Sequence, residues 1–544
     1  MGINSSSKFS IAPVINIERS TFPMGQKVMT TLIAGDLVPL WQMEILPGDT
    51  ISLTYNTVCR MMTPIYPVMD VCVFEYFAFY TPNRQLWDHW KEFMGENTTG
   101  AWVPTTTYTV PRIKFDTGYT VKKDTVMGHL GVPLGKQRFY ISALPIRNYI
   151  HIWNEFFRDQ NLIAPLAVNN NVDADTLYTY NDPTTGGKLL KVAKKHDYFT
   201  SALPAPQKGP EIKIPVESKV PVLTSSTRLV TGAQNGMTIA KASNGDNSFN
   251  AGVIGTSQAG EVRAGSSSMG TTQGEIYPTN LYTNMTDAIG TINALRLNIA
   301  IQNLEVKGAL YGTRYFEQLK GQWGVDHVGN LVMMRPEFLG SRQIPINVQQ
   351  VNQTVGDTNA PLGNTGAYSL TNDLGNRLFT KSFTEHGWIM IVGCVRQLCH
   401  SYQQGLNRCW SRRTLYDFYN PVFRHLSEQP IYNKEIYMQG DIGGTADDEV
   451  FGYQERWAEY RYLPNLITGE FCSSYSTPLD QWHYGDYYSS LPVLSQSFVE
   501  ETKDYINRTI AVQNHDQFML DGYIQIKATR PMPMYSIGSF MDHL

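Results

Sequence analysis

The alternation of apolar and polar positions first sorts out strands. Thr50–Asn56 places Ile51, Leu53 and Tyr55 on one face, the pattern of a half-buried strand. The Pro-Gly-Asp of Glu44–Asp49 before it predicts a turn. Asp70–Tyr80 is apolar on both faces, which predicts a central strand covered on each side, with Glu75 as a charge in need of a partner. Gly387–Leu398 and Gly522–Thr529 predict further strands.

Helical spacing is scarcer. Leu86, Trp87, Trp90, Phe93 and Met94 form a stripe over 83–94, ended by Gly95. Tyr149, Ile152, Trp153, Phe156 and Phe157 group along 145–158, and 295–304 fits a helix through Ile292, Leu295 and Ile299. A further helix is expected over 312–323. The first 30 residues alternate poorly and read as an arm, and 160–225 is Asn-, Asp-, Pro- and Lys-rich connection. Residues 226–275 are Gly, Ser, Ala, Thr and Asn with Phe249 as their one aromatic, too little apolar surface for a core, so they read as an exposed excursion. The pattern is mainly β with long insertions; it is neither a βαβ series nor a repeat.

Composition then narrows the class. At 544 residues the chain exceeds what one core ordinarily spans. Only 17% of residues are charged, net charge is −4, and 12% are aromatic, among them 31 Tyr and 10 Trp. A surface so short of charge and rich in Tyr suits contact with other proteins. No apolar run approaches a membrane span, no secretory signal is visible, and the six cysteines form no disulfide framework, which fits a reducing, intracellular origin.

Catalytic and cofactor motifs are missing: there is no zinc-protease helix, nucleophile elbow, phosphate loop or EF-hand, so neither an enzyme nor a cofactor is expected. His386 beside Glu385 resembles a general base but reads better as a strand-entry histidine. Cys394, Cys399, His400 and Cys409 match no zinc spacing. Asp480 and Asp486 near Trp482 and Tyr484 have the composition of a carbohydrate site, and interface loops share that composition. Two basic clusters carry more weight. Arg408, Arg412 and Arg413 surround Trp410, and Lys188, Lys191, Lys194 and Lys195 precede His196. Arginine interleaved with aromatics serves as an interface anchor or meets phosphates and bases. For Arg408, Trp410, Arg412 and Arg413 an interface role is favoured, with genome contact as the alternative.

Ordered blocks along the chain carry a family resemblance. They include Glu44–Thr50, His196–Gly209, Gly312–Glu317, Arg335–Gly340, Lys381–Gly387, Tyr402–Arg408, Trp410–Thr414, Asn433–Tyr437, Phe451–Arg461, Pro531–Pro533 and Asp542-His543. Ala202 and Ala205 stand where larger residues are expected. The chain resembles the major capsid protein of small icosahedral single-stranded DNA bacteriophages, the microvirus group and its gokushovirus branch. The resemblance implies an eight-stranded antiparallel jelly-roll barrel with very large loop insertions and a few short helices. It implies a T=1 shell of sixty copies around circular single-stranded DNA that touches the inner surface, located in the virion and assembled in the bacterial cytoplasm. The implied partners are the chain itself, the DNA, other phage structural proteins and a bacterial surface receptor, without membrane insertion. On this basis 1–39 is an arm, 40–159 the first part of the core and 311–544 the rest with interface loops and an extended tail. Residues 160–310 are then a surface insertion with its protruding tip at about 226–275. A phage spike or receptor binder, or a carbohydrate-active enzyme, is the alternative.

Overall fold

The computed structural model describes residues 17–96, 106–209, 334–356, 362–440 and 446–535, with shorter described stretches within 210–333. Two antiparallel sheets organise it, built mainly from β1 (Ser20–Leu32), β2 (Val38–Ile45), β3 (Thr50–Met61), β4 (Cys72–Pro82), β5 (Glu337–Pro345), β6 (Arg377–Ser382), β7 (Gly387–Gln397) and β8 (Phe518–Arg530). One antiparallel sheet runs β1-β8-β3-β6, with the short strand Thr371–Asp373 also on β3; the other runs β5-β4-β7-β2.

The two sheets share a core. From β3 it takes Ile51, Leu53 and Tyr55, from β8 Ile524 and Ile526, from β4 Phe74, Tyr76 and Ala78, and from β7 Ile389 and Ile391. The Tyr55 and Tyr76 rings meet edge-on at 4.9 Å across the gap. Gly393 of β7 is a packing requirement, since a Cβ there would lie 2.6 Å from Leu40 Cδ1 and 3.2 Å from the Phe74 ring.

The two-faced apolarity of β4 and β7 has its cause in a second layer. Phe79, Met390, Val392 and Cys394 point away from the sandwich and pack on the helix Leu144–Ile152 through Ile146, Tyr149 and Ile150. Val192, Tyr198 and Phe199 join the same layer, so part of 160–206, expected in the surface insertion, is core instead. Tyr149 is buried at no hydrogen-bonding loss, because its hydroxyl donates to Leu37 O (2.7 Å) and accepts from Leu190 N (3.0 Å). Glu75 meets two cations, Arg396 Nε at 2.8 Å and Lys195 Nζ at 2.8 Å.

Several boundaries differ from expectation. Ser20–Leu32, inside the expected arm, pairs with β8 along its whole length; as an edge strand it is exposed over much of both faces, which erases the alternation that marks inner strands. The expected helix 83–94 is two single turns, Asn83–Leu86 and Trp90–Phe93. The helix at 145–158 ends in a π-turn, Trp153–Phe157, and that at 295–304 extends over Ile292–Tyr311. The expected helix 312–323 lies mostly outside the described residues, as do Asp542 and His543.

The chain divides into two compact units, Gln207–Gly308 and the remainder. Within Gln207–Gly308, the strands Val253–Thr256, Val262–Gly265, Gly274–Pro278 and Ile239–Lys241 form an antiparallel sheet in that order, and Val222–Thr224 pairs with Leu281–Thr283. Much of the expected tip at 226–275 is outside the described residues.

Candidate functional site

The long connection between β7 and β8 carries the four candidate residues on a platform held by polar contacts. Its segment 407–423 makes three single turns, each capped at its N-terminal end by a side chain that accepts from its own backbone. Asn407 Oδ1 accepts from Cys409 N (3.0 Å), Asp417 Oδ2 from Arg413 N (2.9 Å) and Thr414 N (2.7 Å), and Asn420 Oδ1 from Val422 N (3.0 Å). Those backbone bonds from Thr414 and Arg413 hold the Asp417 carboxyl down at about 2.

Beneath lies the hairpin Glu428–Tyr432 with Val450–Glu455. Arg408 Nη1 donates to Pro430 O (2.7 Å) and to Glu435 Oε1 (3.1 Å), while Arg412 Nη2 reaches Glu459 Oε1 at 3.4 Å and its guanidinium stacks 4.2 Å over the Tyr460 ring. Burial works against the Arg408 charge, but Glu435, Tyr198 and Glu459 together outweigh it and keep the guanidinium protonated more firmly than usual. On Glu435 burial prevails and raises its pKa, with Arg408 opposing. Trp457 closes the knot, its Nε1 donating to Phe423 O (3.2 Å).

The knot divides the candidates. Arg408 and Arg412 are intramolecular clamps, whereas the Trp410 ring and the Arg413 side chain face outward. Trp410 is 77% exposed, and beside it in the sequence Leu415, Tyr416, Phe418 and Val422 (82%) are also uncovered. Leu463 (92%) and Leu466 (85%) carry the same exposure. An apolar cavity of about 370 Å³ is lined by Tyr198, Phe199, Tyr402, Trp410, Leu463 and Leu466. Apolar surface this concentrated has the character of a protein contact surface. Sequence reasoning found Trp410 because arginines flank it; Leu463 and Leu466 sit in an aperiodic loop, where an apolar residue signals neither core nor contact.

Other candidates resolve into structural roles. Three of the four lysines are spent on the chain's own carboxylates, Lys191 on Asp36 (2.6 Å), Lys194 on Asp486 (3.2 Å) and Lys195 on Glu75 (2.8 Å), while Lys188 stays exposed. Glu385 pairs with Arg84 (2.7 Å), and the His386 ring packs at 5.7 Å against Trp90. Asp480 accepts from Ser473 Oγ (2.5 Å), whereas Asp486 is buried beside Lys194. Cys394 is buried in the second layer, and Cys399 and Cys409 are exposed. Burial pushes the thiols of Cys59, Cys72 and Cys394 up to about 12.

His400 belongs to a buried ionic cluster that sequence reasoning missed. Its Nδ1 lies 3.6 Å from Asp486 Oδ2 and its Nε2 3.3 Å from Glu501 Oε2, ion-pair separations without in-line hydrogen-bond geometry. Burial disfavours the imidazolium, but the two carboxylates prevail and raise its pKa to about 9. For Asp486 burial is likewise outweighed, by Lys194 and His400, and the carboxyl is held far below its usual range.

A β-sandwich with outsized loops, arginines spent on its own glutamates and aromatic and aliphatic side chains left bare defines a structural subunit made to be covered by neighbours. A family model described as capsid protein (F protein) matches residues 10–540. The chain is 36% identical to capsid protein VP1 of Chlamydia phage 1, over 98% of this chain and 97% of that protein. It is also 36% identical to capsid protein VP1 of Bdellovibrio phage phiMH2K, over 98% and 97%, and 34% identical to that of Spiroplasma virus 4, over 97% and 96%. The chain belongs to the phage capsid protein (F protein) family, in its gokushovirus branch. It is a structural component of the virion; family and relatives point away from catalysis. No described helix is long and apolar enough to cross a membrane.

Proposed function

We propose that this chain closes into a T=1 shell of sixty copies around circular single-stranded DNA, and that its eight long strands are the viral jelly roll. The carrying observation is strand order. Lettered B to I along the chain, β1 to β8 pair as B-I-D-G in one sheet and C-H-E-F in the other, the arrangement two interlocked Greek keys produce. Assembly is the burial of the Trp410 and Leu463 surface against neighbouring copies, and point symmetry makes the result finite. Low charge suits this, because apposed surfaces lose little ion hydration.

The DNA lies against the inner surface, with Arg413 as the exposed arginine of the trio available to it. Arms, connections and other phage structural proteins complete the particle, assembled in the bacterial cytoplasm. Of the insertion 160–310, the part from Gln207 onward supplies the surface protrusion, with 226–275 as the tip that meets a bacterial receptor.

Electron microscopy and mass measurement of the purified protein test the reading. Closed particles of about 3.7 MDa, sixty chains of 61.4 kDa, are expected. Discrete trimers or pentamers would favour a spike and refute the shell. Deleting 231–270 should spare closure and lower host adsorption. Arg413→Ala should leave shells intact but fewer of them DNA-filled; a fall in total particle yield would make Arg413 an interface residue instead.

A further inference from the structure

A cavity of about 480 Å³ opens beside the π-turn that ends the Leu144–Ile152 helix, walled by Arg158, Lys195, His196, Arg314 and Arg396. Two acidic side chains, Asp159 and Glu317, share the wall. Asp159 Oδ1 is already taken by the backbone N–H groups of Asn161 (2.8 Å) and Leu162 (2.9 Å).

The cations here are only partly engaged. Arg158 donates from Nε to Asn154 O (3.4 Å) and from Nη1 to the carbonyls of Asp159 and Ile163. Among the described residues no carboxylate lies within ion-pair distance of Arg158, and no acceptor meets its Nη2. Arg314 Nη2 donates to the same Asn154 O (2.8 Å), but its Nε is buried without a hydrogen bond and its carboxylates stand off, Glu155 at 3.7 Å and Glu317 at 3.6 Å. Glu155 serves Arg335 as well, at 3.0 Å. Lys195 and Arg396 in turn share the single carboxylate of Glu75.

Cations at the C-terminal carbonyls of a helix are favourable, which explains why both arginines sit where they do. That duty uses only some of the five donors each guanidinium carries. Burial, and then Arg314 as a like charge, pulls the Arg158 guanidinium below its usual value, as happens where an anion is wanting.

We propose that this cavity binds a phosphate group, with Arg158 and Arg314 as its donors and His196 at the rim, and that its source is a backbone phosphodiester of single-stranded nucleic acid. Unspent N–H groups of two arginines match the several oxygens of a phosphate. The cavity exceeds the size of a bare ion. Only the source of the phosphate rests on the capsid reading.

Fluorescence anisotropy of the full chain with a short labelled oligodeoxythymidylate, taken through a salt series, tests the proposal. Arg158→Gln should weaken binding on the order of tenfold, one charge-assisted hydrogen bond, and flatten the salt slope by about one phosphate contact. Arg158→Lys should restore part of the loss. His196→Ala at the exposed rim should weaken binding by about twofold to threefold with an unchanged melting temperature, which separates ligand loss from misfolding. Inorganic phosphate should raise the melting temperature of the wild type but not of Arg158→Gln; that result without oligonucleotide binding supports the phosphate site and assigns it to free phosphate. Equal oligonucleotide affinity in wild type, Arg158→Gln and His196→Ala overturns the proposal. So does an Arg158→Gln chain that binds DNA normally yet no longer closes particles, since the cavity would then seat a neighbour's carboxylate. A wild type that never forms particles, but whose DNA binding depends on Arg158, refutes the shell and leaves this site standing.

Discussion

Replacing His400 by Leu should remove a specific segment of the pH dependence of folding. The imidazole is buried between Asp486 and Glu501 and stays protonated up to about 9, against an ordinary value of 6.5. A raised folded-state pKa means that the native chain binds the proton more tightly than the unfolded chain. The stabilisation is therefore complete below about 6.5, declines between 6.5 and 9, and is absent above. The displacement corresponds to on the order of 3 kcal/mol for the buried group. His129, His151 and His483 are shifted the other way, burial being the leading cause in each, so their contributions fall at lower pH. The three buried thiols, pushed to about 12, stay neutral in the folded chain throughout the window and titrate in the unfolded chain only from about 9, equally in both proteins. The assay is urea unfolding of the unassembled chain at intervals from pH 6.5 to 9. The wild type should lose roughly 3 kcal/mol across that range and His400→Leu markedly less. His400→Leu should also be less stable at pH 6.5, because Asp486 and Glu501 lose a cation between them. Equal slopes in the two proteins would refute the assignment of a buried imidazolium.

Three further outcomes follow. Leu463→Asp, at a side chain almost fully exposed in the single chain, should leave the melting temperature unchanged and abolish particles in sedimentation, since each covered leucine contributes about 1.5–3 kcal/mol to a contact; normal particle formation would remove Leu463 from the assembly surface. Arg408→Met strands the buried Glu435 carboxylate and should cost about 3 kcal/mol in chemical denaturation, with much of it recovered in the double variant Arg408→Met/Glu435→Gln. Gly393→Ala drives a methyl into Leu40 and should destabilise the sandwich by about 1–3 kcal/mol, read as a lower thermal midpoint.

The inner strands were legible because their surroundings repeat at the period of the strand. β3 buries Ile51, Leu53 and Tyr55 and leaves the alternate positions half-buried, whereas β4 and β7 are covered twice and read as unbroken apolar runs. Edge strand β1 was illegible for the converse reason: with much of both faces wet, Ser20–Leu32 has little to alternate, and only its pairing with β8 makes it a strand. The same distinction separates the site residues. Trp410 stood out among arginines, but nothing local shows that Arg408 and Arg412 are neutralised by Glu435 and Glu459, which lie 27 and 47 residues farther along the chain.

The sequence by itself determined the class of the protein. Sparse charge, abundant aromatics and the absence of catalytic motifs point to a contact-making structural chain, and its β text and family blocks say which kind. It also determined that Glu75 must have a partner, because a carboxylate within an apolar strand cannot stay ionised alone. Tertiary structure alone decided that the partners are Arg396 and Lys195, that Lys191 and Lys194 are spent on Asp36 and Asp486, and that Leu463 and Leu466 are bare. Those facts depend on which distant segments meet. A side chain's type sets the energy of being buried or exposed, but whether it is buried, and beside which charge, is settled only when the sheets close and the loops find their seats.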